Sequence, residues 1–328
     1  FELFPFVSRE RLDHSVEVDP RVTTVEHLDL FQALGITRLS LGVQDLNPDV
    51  QHAIGRVQPI DKTAVLIEAA RARGVRSVNL DLIYGLPRQT RASWRETLRG
   101  VAELAPDRLA IFSYAHLPTR FRHQRVINEA DLPSTTEKLR LLLAAHEFLA
   151  SRGFVPIGFD HFARPHDELA TALADGTLRR TFMGFTTHAG SDLIGLGASA
   201  ISSFDQAFLQ NEPNEQRYLH KIESGKLAAL RGYALSNEDS LRRDWIADLL
   251  CLGRVRRSEL SSRYSSSEVD ALVVEGTDGL QRLIADRLVE DDGETLALTP
   301  IGRLFARNVA MIFDAYLPSL QTAFSRTV

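Results

Sequence analysis

Cysteine is nearly absent from this sequence, and its scarcity limits what the chain can do alone. Cys251 is the one cysteine among 328 residues, so it has no partner for an internal disulfide. One thiolate also cannot supply a cysteine-ligated zinc or iron–sulfur site, and the residues predict no metal site in this chain. The apolar residues around Cys251 favour a buried core thiol over a nucleophile.

Long apolar runs and a strong excess of one charge are missing as well. The formal net charge is -5, and charges of both signs are spread along the chain. This pattern gives no reason to expect a nucleic-acid or membrane partner. No stretch is typical of a membrane span or signal peptide, so we expect a cytoplasmic protein. The length predicts more than one domain.

Four apolar strands, each ending in a polar residue and a turn, dominate the first third of the chain. They are predicted at 14–20, 38–45, 77–87 and 108–118. Helical patterns with start and stop signals separate them at 24–34, 47–55, 61–73 and 90–104, the third capped by Asp61. The alternation predicts parallel βα units. Four strands cannot close a barrel, so we expect further strand units before Phe1 and a partial, TIM-like barrel.

The rest of the chain changes character after about residue 235. Before that point we predict a helix at 134–152, a strand at 154–159 and a glycine-rich loop or strand at 192–201. After it we predict helices at 241–252 and 268–287, a hairpin at 288–298 turning at Asp292-Gly293, and a helix after Pro300. We therefore divide the chain into a barrel domain, 1–235, and a mainly helical, winged-helix-like domain, 236–328.

The carboxyl ends of the predicted strands carry the candidate functional residues. Ligands bind at that end of parallel barrels, so Glu17, Gln44, Asp81 and the stretch 114–116 are expected to share one rim. Two carboxylates there can grip a cation or ribose hydroxyls. An equally open interpretation pairs them structurally with an arginine such as Arg38 or Arg56.

Other candidates each have a functional and a structural interpretation. Arg56 follows a short helix and can reach back over the rim to bind a carboxylate, or can lie solvated at the helix end. His116 and His161, the latter at the end of the fifth strand, can donate protons or tie down loops. Arg254, Arg256 and Arg257 suggest a DNA-binding regulator, against which the acidic residues 290–292 weigh.

Six short strings make the sequence similar to a known family. They are Glu17-Val-Asp-Pro-Arg21, Gly42-Val-Gln-Asp45, Asn79-Leu-Asp-Leu-Ile-Tyr-Gly-Leu-Pro-Arg-Gln-Thr90, Tyr114-Ala-His-Leu-Pro118, Asp160-His-Phe-Ala-Arg-Pro165 and Gly197-Ala-Ser-Ala-Ile-Ser202. Together they resemble the oxygen-independent coproporphyrinogen III oxidases of the radical S-adenosylmethionine superfamily. The resemblance runs in register from Glu17 to Phe324-Ser-Arg326.

The resemblance implies an enzyme of haem biosynthesis. A [4Fe–4S] cluster, reduced by an electron donor of unknown identity, would cleave S-adenosylmethionine. The resulting 5′-deoxyadenosyl radical would start the oxidative decarboxylation of two propionates of coproporphyrinogen III, giving the vinyl groups of protoporphyrinogen IX. We expect a monomer. No catalytic residue is assigned.

Residue by residue, the resemblance implies an S-adenosylmethionine site. It places Glu17, Gln44, Arg56 and Asp81 around the cofactor, with the backbone near Ala115 and Ile201 lining the same pocket. The family's cluster-binding Cys-x3-Cys-x2-Cys segment is missing from this chain. The preferred account is an inactive fragment of a complete enzyme. The alternative is a cluster-free homologue that binds a porphyrin or adenosyl ligand without turnover.

Overall fold

A mixed sheet organises the first half of the molecule. The computed structural model describes residues 13–188 and 190–317. The strands of the sheet are β1 (Ser15–Val18), β2 (Arg38–Gln44), β3 (Ser77–Tyr84), β4 (Arg108–Ser113), β5 (Val155–Ile157) and β6 (His161–Ala163). Their spatial order is β1-β2-β3-β4-β6-β5. β1 to β4 are parallel, whereas β6 runs antiparallel to β4 and β5 antiparallel to β6.

Helices connect the parallel strands, as the alternating sequence pattern predicts. They are α1 (Val25–Ala33), α2 (Pro48–Ala53), α3 (Ile60–Ala72), α4 (Arg91–Glu103), α5 (Thr135–Ser151) and α6 (Glu168–Ala174). Side chains of Asn47, Thr90 and Ser134 accept hydrogen bonds from the first turns of their helices. The predicted cap Asp61 is wrong, because α3 begins at Ile60 after Pro59 and Asp61 lies in its first turn.

The two faces of the parallel strands differ in chemistry. Alternate side chains of β2 and β3, such as Leu41 and Leu80, are fully buried against the helices. This core also contains Trp94 of α4, whose indole N–H donates to the Leu141 carbonyl at 3.0 Å. The opposite face carries mainly polar or small residues on β2 and β3, among them Ser40, Gly42, Asn79 and Asp81. The helices therefore cover one face of the sheet and leave its polar face uncovered by them.

Short strands that the sequence analysis did not predict follow α6. They are β7 (Arg179–Thr181), β8 (Gly184–Thr186), β9 (Ile201–Phe204), β10 (Ala207–Asn211) and β11 (Ala229–Ala234), with α7 (Glu215–Glu223) before the last of them. β7 and β8 form a hairpin, and β9 to β11 form an antiparallel sheet. Most of the glycine-rich stretch 192–201 is a loop that leads into β9.

The final described segment combines helices with a small antiparallel sheet. Its elements are α8 (Asn237–Leu252), β12 (Arg254–Arg256), α9 (Arg257–Ser261), α10 (Ser266–Ala285), β13 (Val289–Asp291), β14 (Thr295–Leu298), α11 (Pro300–Leu304) and α12 (Ala306–Ala310). The predicted hairpin turns at Gly293, where φ is 90°. α8 begins four residues before the predicted Leu241, because Ser236 caps it and Asp239 completes a capping box.

Among the described residues, no helix combines the length and apolar character needed to cross a membrane. Short 3₁₀ helices occur at Arg122–Val126, Glu129–Asp131 and Met311–Phe313. The residues Phe1 and Phe324 to Arg326, which the sequence analysis used, lie outside the described part of the chain.

Candidate functional site

Strand register places Asp81 at the centre of the polar face. Asp81 of β3 lies opposite Gly42 of β2 and Ala110 of β4, and Ala110 lies opposite His161 of β6. Glu17 of β1 lies opposite Ser40. The predicted order, in which a single strand separates the strands of Glu17 and Asp81, is therefore observed.

Asp81 is held by neutral partners and not by a cation. Asn79 donates to its Oδ1 at 2.7 Å, and the Ser40 hydroxyl donates to its Oδ2 at 3.2 Å. Burial raises the pKa of Asp81, these two hydrogen bonds oppose the rise, and the nearby charge of Glu17 adds to it. Asp81 is thus a desolvated carboxyl group whose ionised form a cationic ligand would stabilise.

Gly42, which lies opposite Asp81 in the register, is where the side chains of Gln44 and Arg56 come together. A Cβ atom on Gly42 would lie 2.8 Å from Gln44 Nε2 and 3.2 Å from Arg56 Nη2, so both side chains cross the space that a larger residue would fill. Arg56 Nη2 also donates to the Gly42 carbonyl at 3.0 Å. Gln44 has a φ of 66°, at a register shift between β2 and β3. Arg56 therefore folds back over the strand ends, as expected.

The structural ion pairs considered for the two carboxylates are not formed. Arg38 pairs with Asp13 at 2.6 Å and Glu168 at 2.5 Å. Arg56 pairs with Asp19 at 3.2 Å. In the described part of the chain, Glu17 is exposed and makes no hydrogen bond or ion pair. Among the described residues, no arginine or lysine therefore pairs with Glu17 or Asp81.

Two buried polar atoms near this pair have no partner. Arg56 Nε is a donor and Asn79 Oδ1 an acceptor, and each lacks a hydrogen bond within the described structure. A buried polar group without a partner costs free energy unless water or a ligand satisfies it. The site therefore offers two carboxylates, one guanidinium N–H and one amide oxygen to a ligand.

A buried network behind the rim holds these groups in place. The Asp45 carboxylate accepts hydrogen bonds from the Thr97 hydroxyl at 2.7 Å and from Gln89 Nε2 at 2.6 Å. The Asn47 amide donates to the same carboxylate at 2.7 Å. Gln51 bonds the Asp45 carbonyl at 2.9 Å, which ties α2 to the strand end. Asp45 directly follows Gln44, so the network fixes the backbone from which Gln44 projects.

The 114–116 stretch forms a loop whose groups bond mainly to the protein. Lys138 of α5 donates to the Tyr114 carbonyl at 2.9 Å, and Gln124 donates to the Ala115 carbonyl at 2.9 Å. His116 lies 3.2 Å from the Tyr114 hydroxyl and 3.3 Å from a carboxylate oxygen of Glu129. His116 thus ties down the loop, which is the structural interpretation offered above. Ala115 lies in this loop, two residues after the end of β4.

His161 does not end the fifth strand, contrary to expectation. It begins β6, because the chain turns at residues 158–160 and returns antiparallel. Its Nδ1 lies 2.6 Å from Asp160 Oδ1, and its ring packs edge-on against Phe112 and Phe185. Its charge, when present, lowers the pKa of Asp81. The turn therefore brings His161 to the polar face.

The described contacts of Ile201 include none of the other predicted site residues. It is the first residue of β9, and its backbone packs 2.8 Å from the position of a Cβ on Gly195. Asn211 donates to the carbonyls of Gly195 and Gly197, which shapes the loop before Ile201. No described hydrogen bond joins Ala115 or Ile201 to Gln44, Arg56 or Asp81.

No metal centre is formed by the described residues. Among them, no group of three or more histidine, cysteine, aspartate or glutamate side chains is placed to hold an ion. Cys251 is buried in a core with Ile157 and Leu178, and burial raises its pKa to about 12. It is a neutral core thiol, as the apolar residues around it indicate.

Sequence reasoning missed the groups that support the site. Ser40 and Asn79 share the face of Asp81 because each is an even number of residues from a site position on its strand, and this alternation could have identified them. Asp45 belongs to the string Gly42-Val-Gln-Asp45, but no local sequence signal distinguishes a buried aspartate from one in an exposed turn. Its partner Thr97 lies 52 residues away.

Comparisons with known proteins point to one family. Residues 2–101 match the family model for the radical SAM superfamily. The oxygen-independent coproporphyrinogen III oxidases of Pseudomonas aeruginosa and Escherichia coli are each 43% identical to the chain, over 96% of this chain and 69% of theirs. The Synechocystis protein of that name is 37% identical, over 100% of this chain and 71% of its own length.

A solved structure gives the same result for the fold. Coproporphyrinogen III oxidase (HemN) from Escherichia coli, described as a radical SAM enzyme, superposes on this chain with a TM-score of 0.89 and 44% sequence identity. The match covers 93% of this chain and 70% of that one. The α/β fold of the radical SAM relatives is therefore the fold of this chain.

Proposed function

Because this chain belongs to the oxygen-independent coproporphyrinogen III oxidase family, we propose that it acts in haem biosynthesis on coproporphyrinogen III as a radical SAM oxidoreductase. Its relatives carry that name over nearly the whole of this chain. The reaction class is the oxidative decarboxylation of propionates to vinyl groups. S-adenosylmethionine is the cofactor for which the polar face of the sheet provides groups.

One observation carries the proposal for the cofactor: Glu17 and Asp81 lie close together, and no arginine or lysine of the described residues pairs with either of them. The negative charge of Glu17 adds to the burial that raises the pKa of Asp81, so the site favours a cationic ligand. S-adenosylmethionine carries a sulfonium and an ammonium group. An ionised carboxylate is the natural partner for such a cation.

The remaining groups fit the other parts of the same ligand. Arg56 Nε is buried without a partner and can donate to the methionyl carboxylate, although Asp19 shares its guanidinium. Asn79 Oδ1 can accept a hydrogen bond from a hydroxyl, and Gln44 can both donate and accept. We assign Glu17 to the methionyl cation, Arg56 to the carboxylate, and Asp81 with Gln44 to the ribose hydroxyls. Ala115 and Ile201 are proposed to line the same pocket through their backbones.

The residues of this chain do not fit an iron–sulfur cluster. Thiolates hold such clusters, and Cys251 is a single, buried cysteine. The family's [4Fe–4S] cluster is part of the proposed chemistry, but no step that involves it follows from the residues of this chain. What these residues supply is the binding and orientation of the nucleotide.

The finer architecture is proposed on the same basis. The parallel strands β1 to β4, with helices on one face, support a partial TIM-like barrel. The three-stranded sheet β12-β14-β13 with α9 and α10 supports a winged-helix-like C-terminal part, and we keep the division near residue 235. A cytoplasmic location, a monomer and an external electron donor complete the proposal.

The DNA-binding alternative has little support from the same segment. Arg256 pairs with Glu259 at 3.0 Å, and Arg257 pairs with Asp291 at 2.7 Å. Lysine and arginine side chains bind DNA by neutralising phosphates and so releasing the counterions condensed on the DNA, and an arginine already paired with a carboxylate contributes less to this effect. Two of the three arginines that suggested a nucleic-acid surface are therefore already neutralised.

Calorimetric titration of the chain with S-adenosylmethionine tests the site. We expect Glu17→Gln to weaken binding about tenfold, because it removes a charge that faces the ligand cation, and Asp81→Asn to weaken it by a similar factor, because it removes a charged acceptor for the ribose hydroxyls. S-adenosylhomocysteine lacks the sulfonium charge, so Glu17→Gln should affect its binding less, whereas Asp81→Asn should affect both ligands alike. The control Asp270→Asn changes an exposed aspartate of α10 and should leave both affinities unaltered. Equal affinities for wild type and both site variants would contradict the assignment.

A further inference from the structure

A turn between β5 and β6 brings a second group of side chains to the edge of the polar face. The turn comprises residues 158–160, and the Ile111 amide of β4 donates to the Asp160 carbonyl at 2.7 Å. His161 follows the turn directly and lies opposite Ala110, the neighbour of Asp81 in the register. Whatever surrounds this turn therefore borders the candidate nucleotide site.

Three rings pack around the turn. The His161 ring centroid lies 5.1 Å from that of Phe185, and Phe185 lies 6.0 Å from Phe159. A Cβ on Gly158 would lie 2.1 Å from the Phe185 ring, so only glycine leaves room for it. On the other side of His161, Phe112 remains 39% exposed on the face that carries Asp81. The result is an aromatic surface beside the carboxylates.

Two arginines from distant parts of the chain lie over these rings. The Arg180 guanidinium of β7 is 5.4 Å from the Phe159 centroid and 5.8 Å from the Phe185 centroid. The Arg307 guanidinium of α12 is 4.8 Å from the Phe159 centroid. Cation–π contact orients both groups without using their N–H donors.

Neither arginine is neutralised within the described structure. Arg180 and Arg307 are exposed, and their guanidinium groups make no ion pair or hydrogen bond with the residues that the structure describes. By contrast, Arg108 and Arg242 are each held by two carboxylates. The chain thus keeps two oriented, unpaired guanidinium groups together over one ring, although like charges repel.

Arg307 also lies near the end of β3. Burial raises the pKa of the Tyr84 hydroxyl, and the positive charge of Arg307 is near enough to oppose that rise. Tyr84 is the last residue of the strand that carries Asp81. Arg307 therefore reaches the carboxyl-end rim from the C-terminal segment.

We propose that Arg180 and Arg307 bind propionate carboxylates of the porphyrinogen, with the macrocycle against the exposed face of Phe112. The inference rests on the proposed function and adds to it the groups that recognise the substrate. A guanidinium presents a planar pair of N–H donors that matches a carboxylate. Two such groups, fixed over Phe159, would hold a tetrapyrrole that carries several propionates beside the nucleotide site.

A purely structural role makes a different prediction. If the two arginines only cover Phe159 with their side chains, their replacement lowers stability and leaves porphyrin binding unchanged. If they bind propionates, replacement weakens binding only for ligands that have free carboxylates. The two roles therefore separate in one set of titrations.

The test measures binding of coproporphyrin III, the fluorescent oxidised form of the substrate, to the full chain. We expect Arg180→Gln and Arg307→Gln each to weaken binding about tenfold, because each removes a charge-assisted hydrogen bond. Arg307→Lys, which keeps the charge but loses the planar fork, should fall between wild type and Arg307→Gln. Coproporphyrin III tetramethyl ester, which has no free carboxylate, should bind the wild type and both glutamine variants equally. The matched control Arg282→Gln changes an exposed arginine of α10 and should have no effect.

Two outcomes would overturn the inference in distinguishable ways. Unchanged coproporphyrin III affinity in both glutamine variants, with lowered melting temperatures, would assign the arginines a structural role and leave the proposed function standing. Failure of the wild-type chain to bind coproporphyrin III at all would contradict substrate binding by this chain, and with it both proposals. Binding of S-adenosylmethionine, measured in parallel, should be unaltered by either arginine substitution.

Discussion

At the scale of single residues, Gly42 controls the shape of the candidate site. Its missing side chain leaves room for Gln44 and Arg56 to come together over β2, opposite Asp81 in the register. A methyl group at this position would meet the ends of two flexible side chains and no backbone. The site would therefore change shape while the sheet survived.

Replacing Gly42 with alanine tests this role. We expect Gly42→Ala to weaken S-adenosylmethionine binding about threefold to tenfold by displacing Gln44 and Arg56, and to change the free energy of unfolding by less than about 1 kcal/mol. Calorimetry and urea unfolding measure the two effects. The control is Gly74→Ala, where φ is 86° and no atom lies within 4 Å of the added Cβ. It should cost about 1 kcal/mol of stability and leave binding unchanged.

At the scale of elements, the Asp45 network joins β2, α2 and α4 below the rim. Its carboxylate is fully buried, and burial raises its pKa against the hydrogen bonds from Asn47, Gln89 and Thr97. Gln89 also accepts a hydrogen bond from the Gly85 amide at 2.6 Å, so the loop after β3 belongs to the same network. Two rim loops thus share one buried acceptor.

Removal of that acceptor should loosen both loops. We expect Asp45→Ala to lower the free energy of unfolding by about 3 kcal/mol, because three donors lose their buried partner. Chemical denaturation of the purified variant measures the loss. Asp270→Ala, on the exposed side of α10, should stay within about 0.5 kcal/mol of wild type. A similar small loss for Asp45→Ala would show that water replaces the carboxylate.

At the scale of the whole molecule, a buried histidine links stability to pH. His146 of α5 packs edge-on against Phe162 of β6, with ring centroids 4.7 Å apart, and its Nε2 is buried without a hydrogen-bond partner in the described structure. Burial lowers its pKa to about 4, from an ordinary value of 6.5. Between these values the unfolded chain binds a proton that the folded chain does not.

The free energy of unfolding should therefore fall as the pH is lowered from about 6.5 to about 4, by up to about 3 kcal/mol from this residue. Urea unfolding at a series of pH values measures the slope. His146→Leu removes the titrating group. Between pH 6.5 and pH 4 its free energy of unfolding should therefore fall by up to about 3 kcal/mol less than that of wild type. Parallel curves for the two proteins would contradict a buried, neutral His146.

The helices between the parallel strands could be predicted from the sequence, whereas the short antiparallel strands and their pairing could not. Caps such as Asn47, Thr90 and Ser134 act on amides two or three residues away, so the pattern places those helix starts correctly. β6 and the strands β7 to β11 are only three to six residues long. Their pairing depends on partners elsewhere in the chain, and a short strand carries too few residues to show a periodicity.

The sequence by itself determined which polar residues end the parallel strands and to which family the chain belongs, because both depend on local patterns and short strings. Only the tertiary structure decided that Gln44 and Arg56 meet at Gly42, opposite Asp81 in the register, and that Arg307 from the C-terminal segment reaches the ring of Phe159. Arg56 with Gly42, Gly42 with Asp81, and Arg307 with Phe159 each join different elements of the chain. Strand register and packing fix them, and neither property can be read from any one segment.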